Sequence, residues 1–272
     1  MTYYLDHFGL SATPFSKEIE DEKLWLPPSK KTLVDELVEC IHERKHAVLT
    51  GEPGVGKTCV LRALRHALGS HAFRLTYCHN VTLGRRDFYR HLCHALGIPY
   101  GATAGDVFMA VSKHVEDLSK ERCLPVFLVD EAHLLHQDTL DHLHILLNYS
   151  WDSKALLSLV LVGLPDLDER LARRRNRSLF SRLHCRLSIE PLSPDDTADY
   201  VRARLAGAGC AKELFTSDAI AMLHEAASGS LRDIDRVAHN ALRLAAKKKR
   251  KLVERDVLGA VLRAEGFSED RP

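Results

Sequence analysis

Apolar and polar positions along this chain follow two rhythms. Five short runs are rich in apolar residues: Ala47-Val48-Leu49-Thr50, Phe73-Arg74-Leu75-Thr76-Tyr77, Val126-Phe127-Leu128-Val129, Leu157-Ser158-Leu159-Val160-Leu161-Val162 and Cys185-Arg186-Leu187-Ser188-Ile189. Runs of this length suit strands buried on both faces. Between them apolar residues recur three and four apart, as at Leu33, Val34, Leu37, Val38 and Ile41 after Ser29. Strand-helix alternation predicts an α/β core, a five-stranded parallel sheet with helices on both faces, over residues 29–190. After Pro191 the strand rhythm stops. Ser193-Pro194-Asp195-Asp196 caps one helix, Ser217-Asp218 starts a second, Arg232 lies in a third and Glu254-Arg255-Asp256 opens a fourth. Residues 191–266 therefore read as a small all-helical lid. Residues 1–28 are aromatic and punctuated by proline, which predicts a non-regular strap packed on a neighbouring surface. Residues 267–272 read as a disordered tail.

Composition narrows the class. The chain has 272 residues, 45% hydrophobic and 28% charged, enough for one large core and a small second module. No apolar stretch reaches the roughly 18 residues a membrane helix needs. The N-terminus, Met1-Thr2-Tyr3-Tyr4-Leu5-Asp6, lacks the basic and apolar regions of a secretory signal. The seven cysteines are scattered without a CxxC pair, which reads as reduced thiols in a cytoplasmic protein. Net charge is +1, so bulk electrostatics neither demand nor exclude nucleic acid. The charge runs are local, at Arg173–Arg177 and Lys247–Lys251. The second follows a helical segment, where cations are favoured in any case.

The strongest chemical signal is Gly51-Glu52-Pro53-Gly54-Val55-Gly56-Lys57-Thr58, a full match to G-x-x-x-x-G-K-[ST]. It follows a predicted strand and opens a predicted helix, Thr58 to Leu68, continuing through Cys59. Glycines let backbone N–H groups turn inward on a phosphate, and the helix N-terminus adds partial positive charge. Lys57 is expected on the β and γ phosphates of ATP, and Thr58 on Mg²⁺. A second buried strand ends in Asp130-Glu131. Asp130 is expected to hold the Mg²⁺ shell and Glu131 to polarise the attacking water. In Gly229-Ser230-Leu231-Arg232-Asp233-Ile234, Arg232 is expected to read the γ-phosphate. Arg182, before the last strand, and Arg177 compete for the role of an arginine finger offered to a neighbouring copy. A finger supplied in trans implies a head-to-tail ring or filament.

These residues, with Tyr4-Leu5-Asp6-His7-Phe8-Gly9-Leu10, Pro14-Phe15-Ser16, Leu24-Trp25-Leu26-Pro27-Pro28-Ser29, Asp130-Glu131-Ala132-His133 and Leu161-Val162-Gly163-Leu164-Pro165-Asp166-Leu167, resemble AAA+ ATPases of the ExeA (GspA) type. The resemblance covers roughly residues 3–265. Secretion-type members carry an added membrane segment and a peptidoglycan-binding domain, which this chain is expected to lack. The stand-alone form is similar to transposition ATPases of the TnsC, TniB, MuB and IstB kind. That resemblance implies an ATP-dependent oligomer on duplex DNA that recruits or activates a transposase. It also implies that the stretch after the second strand faces DNA, with Thr82, Arg85 and Arg86 donating to backbone phosphates. An ExeA-like secretion or envelope ATPase and a helicase-loader-like switch are the alternatives. One departure stands out. The fourth strand ends Val162-Gly163-Leu164, where relatives carry a polar residue that senses the γ-phosphate. Ser158, early in that strand, is a poor substitute, and slow hydrolysis is the expected consequence.

Overall fold

Strand β1 (His46–Gly51) is buried at all six positions, and the sheet is built around it. In the computed structural model, which describes residues 3–69, 71–79 and 82–266, the chain runs in order through α1 (Tyr3–Phe8), α2 (Pro28–His42), β1, α3 (Lys57–Ala67), β2 (Phe73–Cys78), α4 (Arg85–Leu96), α5 (Ala104–Lys120), β3 (Leu124–Val129), α6 (Gln137–Leu146), β4 (Ser158–Gly163), α7 (Asp166–Ala172), α8 (Arg177–Phe180) and β5 (Leu183–Ile189). Four helices follow: α9 (Pro194–Gly207), α10 (Ser217–Ala227), α11 (Leu231–Lys247) and α12 (Arg255–Ala264). The five strands form one parallel sheet in the order β2-β3-β4-β1-β5. All five predicted strands are present. β3 and β4 are buried throughout, while edge strands β2 and β5 each leave positions exposed, β5 in alternation.

The chain divides into two units with separate cores. One holds residues 28–52 and 57–189, with an apolar centre that includes Val48, Phe127, Leu159 and Leu161 from the sheet and Phe88, Leu92, Val107 and Leu140 from helices. His46 sits at the start of β1, only 7% exposed. Its Nδ1 accepts the Leu159 N–H at 3.2 Å. Burial, together with nearby His184 and Arg182, pushes its pKa down to about 4.

The other unit holds residues 1–27, 53–56 and 190–272. The first 27 residues thus belong with the C-terminal helices. Tyr4, Leu10 and Phe15 share a core with Tyr200, Leu205, Phe215, Leu223, Val237 and Leu258. Tyr4 meets His239 edge-on at 5.4 Å between ring centres, and Trp25 tilts on Tyr200 at 5.5 Å. Buried Arg204 on α9 donates to the carbonyls of Pro14 at 2.6 Å and Ser16 at 2.5 Å. Ser11 donates both its N–H and its hydroxyl to the Ala208 carbonyl, each at 2.9 Å.

Two features differ from the sequence reading. The strap is not wholly irregular, because Tyr3–Phe8 forms a helix stopped by Gly9 at φ +68°. There the Leu10 N–H returns to the Leu5 carbonyl at 2.9 Å, a left-handed cap that glycine permits without strain. The helical region also contains an isolated parallel bridge between Phe215 and Val253. The expected disordered tail, 267–272, lies outside the described residues.

Ser193 caps α9 reciprocally with Asp196, and Thr216 and Ser230 cap α10 and α11. Gly229, at φ +71°, lies so close to Leu192 that a Cβ there would stand 2.3 Å from its carbonyl oxygen. The Lys247–Lys251 run is the exposed turn that ends α11, with Lys249 left-handed at φ 58° and the Arg250 N–H on the Ala245 carbonyl at 2.9 Å. This is the position where cations complement the helix dipole.

Two outcomes follow from these cores. Arg204→Met removes two charge-assisted hydrogen bonds and should destabilise the helical unit by about 2–3 kcal/mol. Limited proteolysis should then cut first within residues 11–24; a cleavage pattern like the wild type would show that the guanidinium does not hold the strap. His46 has a folded pKa below its unfolded value near 6.5, so its contribution is complete above about pH 6.5. It is lost as pH falls from there toward about 4, to a total of about 3 kcal/mol. Denaturant titrations at pH 7.5 and 4.5 should show a smaller acid loss for His46→Asn than for wild type.

Candidate nucleotide-binding site

The sheet order places the ends of β1 and β3 on either side of β4, with all three strands parallel. Their carboxyl ends therefore share one edge, the edge where open α/β sheets bind ligands. Residues Gly51 to Thr58 leave β1 and enter α3 there. Gly54 at φ +84° and Gly56 at φ +104° hold conformations that a side chain would strain. Val55 between them is 1% exposed and anchors the loop. Glu52 and Pro53 are exposed. Lys57 is the first residue of α3, and its Nζ donates to the carbonyls of Gly51 at 2.7 Å and Glu52 at 3.0 Å. The ammonium is thus held inside the curl of the loop. Thr58 follows, exposed on the first turn of α3, and Cys59 is half-buried behind it.

Asp130 follows β3 directly and is 7% exposed. Its backbone N–H bonds the Cys78 carbonyl at 2.8 Å, which extends the β2–β3 ladder by one step. One carboxylate oxygen accepts the Glu131 N–H at 2.9 Å, and the other accepts the Tyr77 hydroxyl at 2.6 Å. Burial, and then the bond to Asp130, push the Tyr77 phenol upward, so it remains a donor. Glu131 itself is left-handed at φ 54°, rare for a residue with a side chain. Its carboxylate is half exposed and lies 3.6 Å from His133 Nδ1. That nitrogen faces the Leu164 N–H at 3.4 Å and so serves as an acceptor. Arg170 fixes the segment from α7 by donating to the carbonyls of His133 and Leu135.

The donor set suits magnesium. Asp130 and Thr58 offer hard oxygens, and no cluster of three or more His, Cys, Asp or Glu side chains exists among the described residues. Mg²⁺ keeps several waters and usually takes one or two protein oxygens plus substrate phosphates, which matches this sparse arrangement. Three positive features fit a nucleotide phosphate: the glycine-rich curl, the α3 N-terminus and the Lys57 ammonium.

The fourth strand ends in Leu161-Val162-Gly163, without a polar side chain. Ser158 is fully buried at the start of β4, opposite Val126, the end of the strand remote from Asp130. At the other end Gly163 abuts His133, whose backbone nitrogen would lie 3.2 Å from a Cβ. A larger residue there would press on the segment that follows Glu131.

The remaining candidates are placed as follows. Arg232 is exposed on the first turn of α11, and its N–H reaches the Gly54 carbonyl at 3.4 Å within the same unit. Arg182 is one-quarter exposed, donates to the Ser178 carbonyl at 2.8 Å and pairs with Asp152 at 2.7 Å. Asp152 ends a run of three left-handed residues, Ser150 to Asp152, whose middle member Trp151 is wholly exposed. Arg177 opens α8 and is exposed. Of the neighbouring arginines, Arg175 is engaged by Asp141. Thr82 is exposed just before α4, and Arg85 and Arg86 occupy its first turn. Arg86 bonds the Ala102 carbonyl at 2.7 Å, and both arginines border a cavity of about 200 Å³ with Tyr89, Phe108 and His142. Asn80 and Val81, in the same stretch, lie outside the described residues. Sequence reasoning missed Tyr77, Asp152 and Arg170. Tyr77 in particular reads as one more apolar strand position, and only the β2–β3 register brings it to Asp130.

Comparison with known proteins agrees with this geometry. The family described as AAA domain matches residues 40–171. General secretion pathway protein A of Aeromonas hydrophila is 33% identical over 277 residues, covering 98% of this chain and 49% of that protein. The chain thus spans about half the length of that relative. Among solved structures, the Aeropyrum pernix ORC1 protein in complex with DNA superposes with a TM-score of 0.69 at 20% identity, over 93% of this chain and 68% of that one. The Drosophila ORC bound to DNA gives 0.67 at 22% identity, over 98% and 65%. The Thermotoga maritima RuvB Holliday junction branch migration motor gives 0.62 at 14%, over 92% and 73%. At these identities the likeness concerns the fold. Sheet order, glycine-rich loop, paired acids and the AAA-domain match over residues 40–171 together give this chain the P-loop α/β fold of AAA+ proteins.

Proposed function

We propose that the chain is an ATP-operated assembly switch that forms head-to-tail oligomers on duplex DNA and, in that state, recruits or activates a transposase. The observation that carries the switch is the complete set of Lys57, Thr58, Asp130 and Glu131 at the ends of β1 and β3. Lys57 binds the β and γ phosphates, Thr58 and Asp130 face the magnesium shell, and Glu131 orients and polarises the attacking water. Bound Mg²⁺ supplies charge neutralisation on the phosphates. Arg232, beside Gly54, reads the γ-phosphate. Arg182, or Arg177 in its place, reaches the nucleotide of the next copy. ATP then stabilises the assembly by binding it better than the separate subunits. The missing polar residue at the end of β4 favours slow turnover, which suits a timer better than a motor.

DNA contact is supported by Arg85 and Arg86 at an exposed helix start. Two of the similar folds belong to proteins solved with DNA. Contact with phosphates alone gives salt-sensitive, sequence-tolerant binding. A second reading is favoured by the similarity to General secretion pathway protein A across 98% of this chain. In that reading the same switch acts on a protein partner in secretion.

Fluorescence anisotropy of a labelled random-sequence duplex separates the two. Binding is expected with a non-hydrolysable ATP analogue and not with ADP, and it should weaken steeply with salt. Absence of binding in every nucleotide state would leave the secretion reading. Arg85→Ala should lower the slope of log K against log salt by about one per lost phosphate contact. Glu131→Gln should slow hydrolysis by roughly 10²–10⁴ and prolong the assembled state. Lys57→Ala should abolish nucleotide-dependent assembly; sedimentation showing normal ATP-dependent oligomers in that variant would sink the scheme.

A further inference from the structure

We infer that Tyr77 is a positioning residue for the metal side of this site: its hydroxyl sets the orientation in which Asp130 meets a nucleotide-bound magnesium ion. The inference deepens the reading of Asp130 given above and rests on it. Asp130 alone, attached through one Cβ–Cγ bond, has a carboxylate free to turn. Here each oxygen is assigned a donor, Glu131 N–H on one at 2.9 Å and Tyr77 O–H on the other at 2.6 Å. A backbone donor from the residue after Asp130 and a ring donor from β2 together fix the carboxylate plane. A carboxylate has about four lone-pair positions, so two remain for the waters that a hydrated Mg²⁺ presents.

The tyrosine is well placed for this task. It pairs in register with Leu128, two residues before Asp130, on the edge strand β2. Its ring stacks on His79 at 5.8 Å with an interplanar angle of 22°, and His79 meets His91 of α4 edge-on at 5.7 Å. The ring is therefore held by His79 as well as by the carboxylate bond, although it is 45% exposed. An exposed tyrosine at the end of an edge strand has no packing reason to direct its hydroxyl into a buried acid. A charge-assisted bond to the residue that faces the metal gives it one. Groups that orient a metal-facing residue in this way commonly change metal affinity roughly 10- to 100-fold when removed.

The test uses the full chain and a fluorescent ADP analogue, titrated with Mg²⁺ after chelation by EDTA. Tyr77→Phe keeps the ring and its stacking on His79 and removes only the hydroxyl. The magnesium concentration for half-maximal binding enhancement should rise roughly tenfold. Nucleotide affinity in EDTA should stay at the wild-type value. An unchanged magnesium midpoint would overturn the inference. So would an equal loss of affinity with and without magnesium, since that marks a purely structural residue. If wild type itself shows no magnesium dependence, the metal role of Asp130 fails first and the role of Tyr77 fails with it. Asp130→Asn separates these cases, because it should abolish the magnesium enhancement in both the wild-type and the Tyr77→Phe background.

Discussion

The site depends on how β1 ends. Its six residues are buried between two parallel neighbours, and the pairing of Gly51 with Ile189 continues to the last residue. The backbone must then turn into α3 through a short loop that passes through positive φ at two positions. Glycine at 54 and 56 meets that demand, and the turn leaves N–H groups and a lysine ammonium facing one small volume. The concentration of positive potential is thus a by-product of a strand stopping beneath a helix start. Everything else at the site is arranged relative to that volume by the parallel register of β3 and β4.

The sheet and its phosphate loop were legible because their signals are local. Continuous apolar runs such as Val126–Val129 fix a buried strand without reference to any partner, and the glycine spacing fixes the turn. The helical caps were equally plain, since Ser193 and Asp196 bond each other across three residues. Long-range pairings were not legible. Nothing in Phe73-Arg74-Leu75-Thr76-Tyr77 distinguishes a tyrosine that meets water from one that donates to Asp130. Likewise Arg204 reads as one more cation on an amphipathic helix, yet it holds carbonyls 190 and 188 residues away. The strap read as packed on a neighbouring surface, but only the structure shows that the surface is the C-terminal helical core. The helix at Tyr3–Phe8 was hidden by the aromatic composition around it, which suggests packing before it suggests regular structure.

The end of β4 shows how a residue without a side chain shapes its surroundings. Relatives are expected to place a polar side chain there. Here Gly163 yields the space to His133, and Arg170 ties the carbonyl of that histidine to α7. The segment after Glu131 is therefore braced by backbone acceptors and a guanidinium, with Glu131 itself in a left-handed conformation. The Glu131 carboxylate thus stands on a rigid mount, held by orientation rather than by a neighbouring charge on β4.

The union of residues 1–27 with the C-terminal helices has a consequence for biosynthesis. Tyr4, Leu10 and Phe15 are made before the sheet unit, yet they belong to a core whose other half is made after it. The sheet unit, contained between them in sequence, has all its own strands by Ile189 and can close earlier. Until α9 to α12 emerge, the opening segment carries its apolar groups without their partners. The loop it must then close spans nearly the whole chain, and such long-range closure is intrinsically slow. A nascent form of this protein thus has its sheet unit complete in sequence while the apolar residues of the opening segment still lack partners, the kind of exposure that makes partly made chains prone to aggregate.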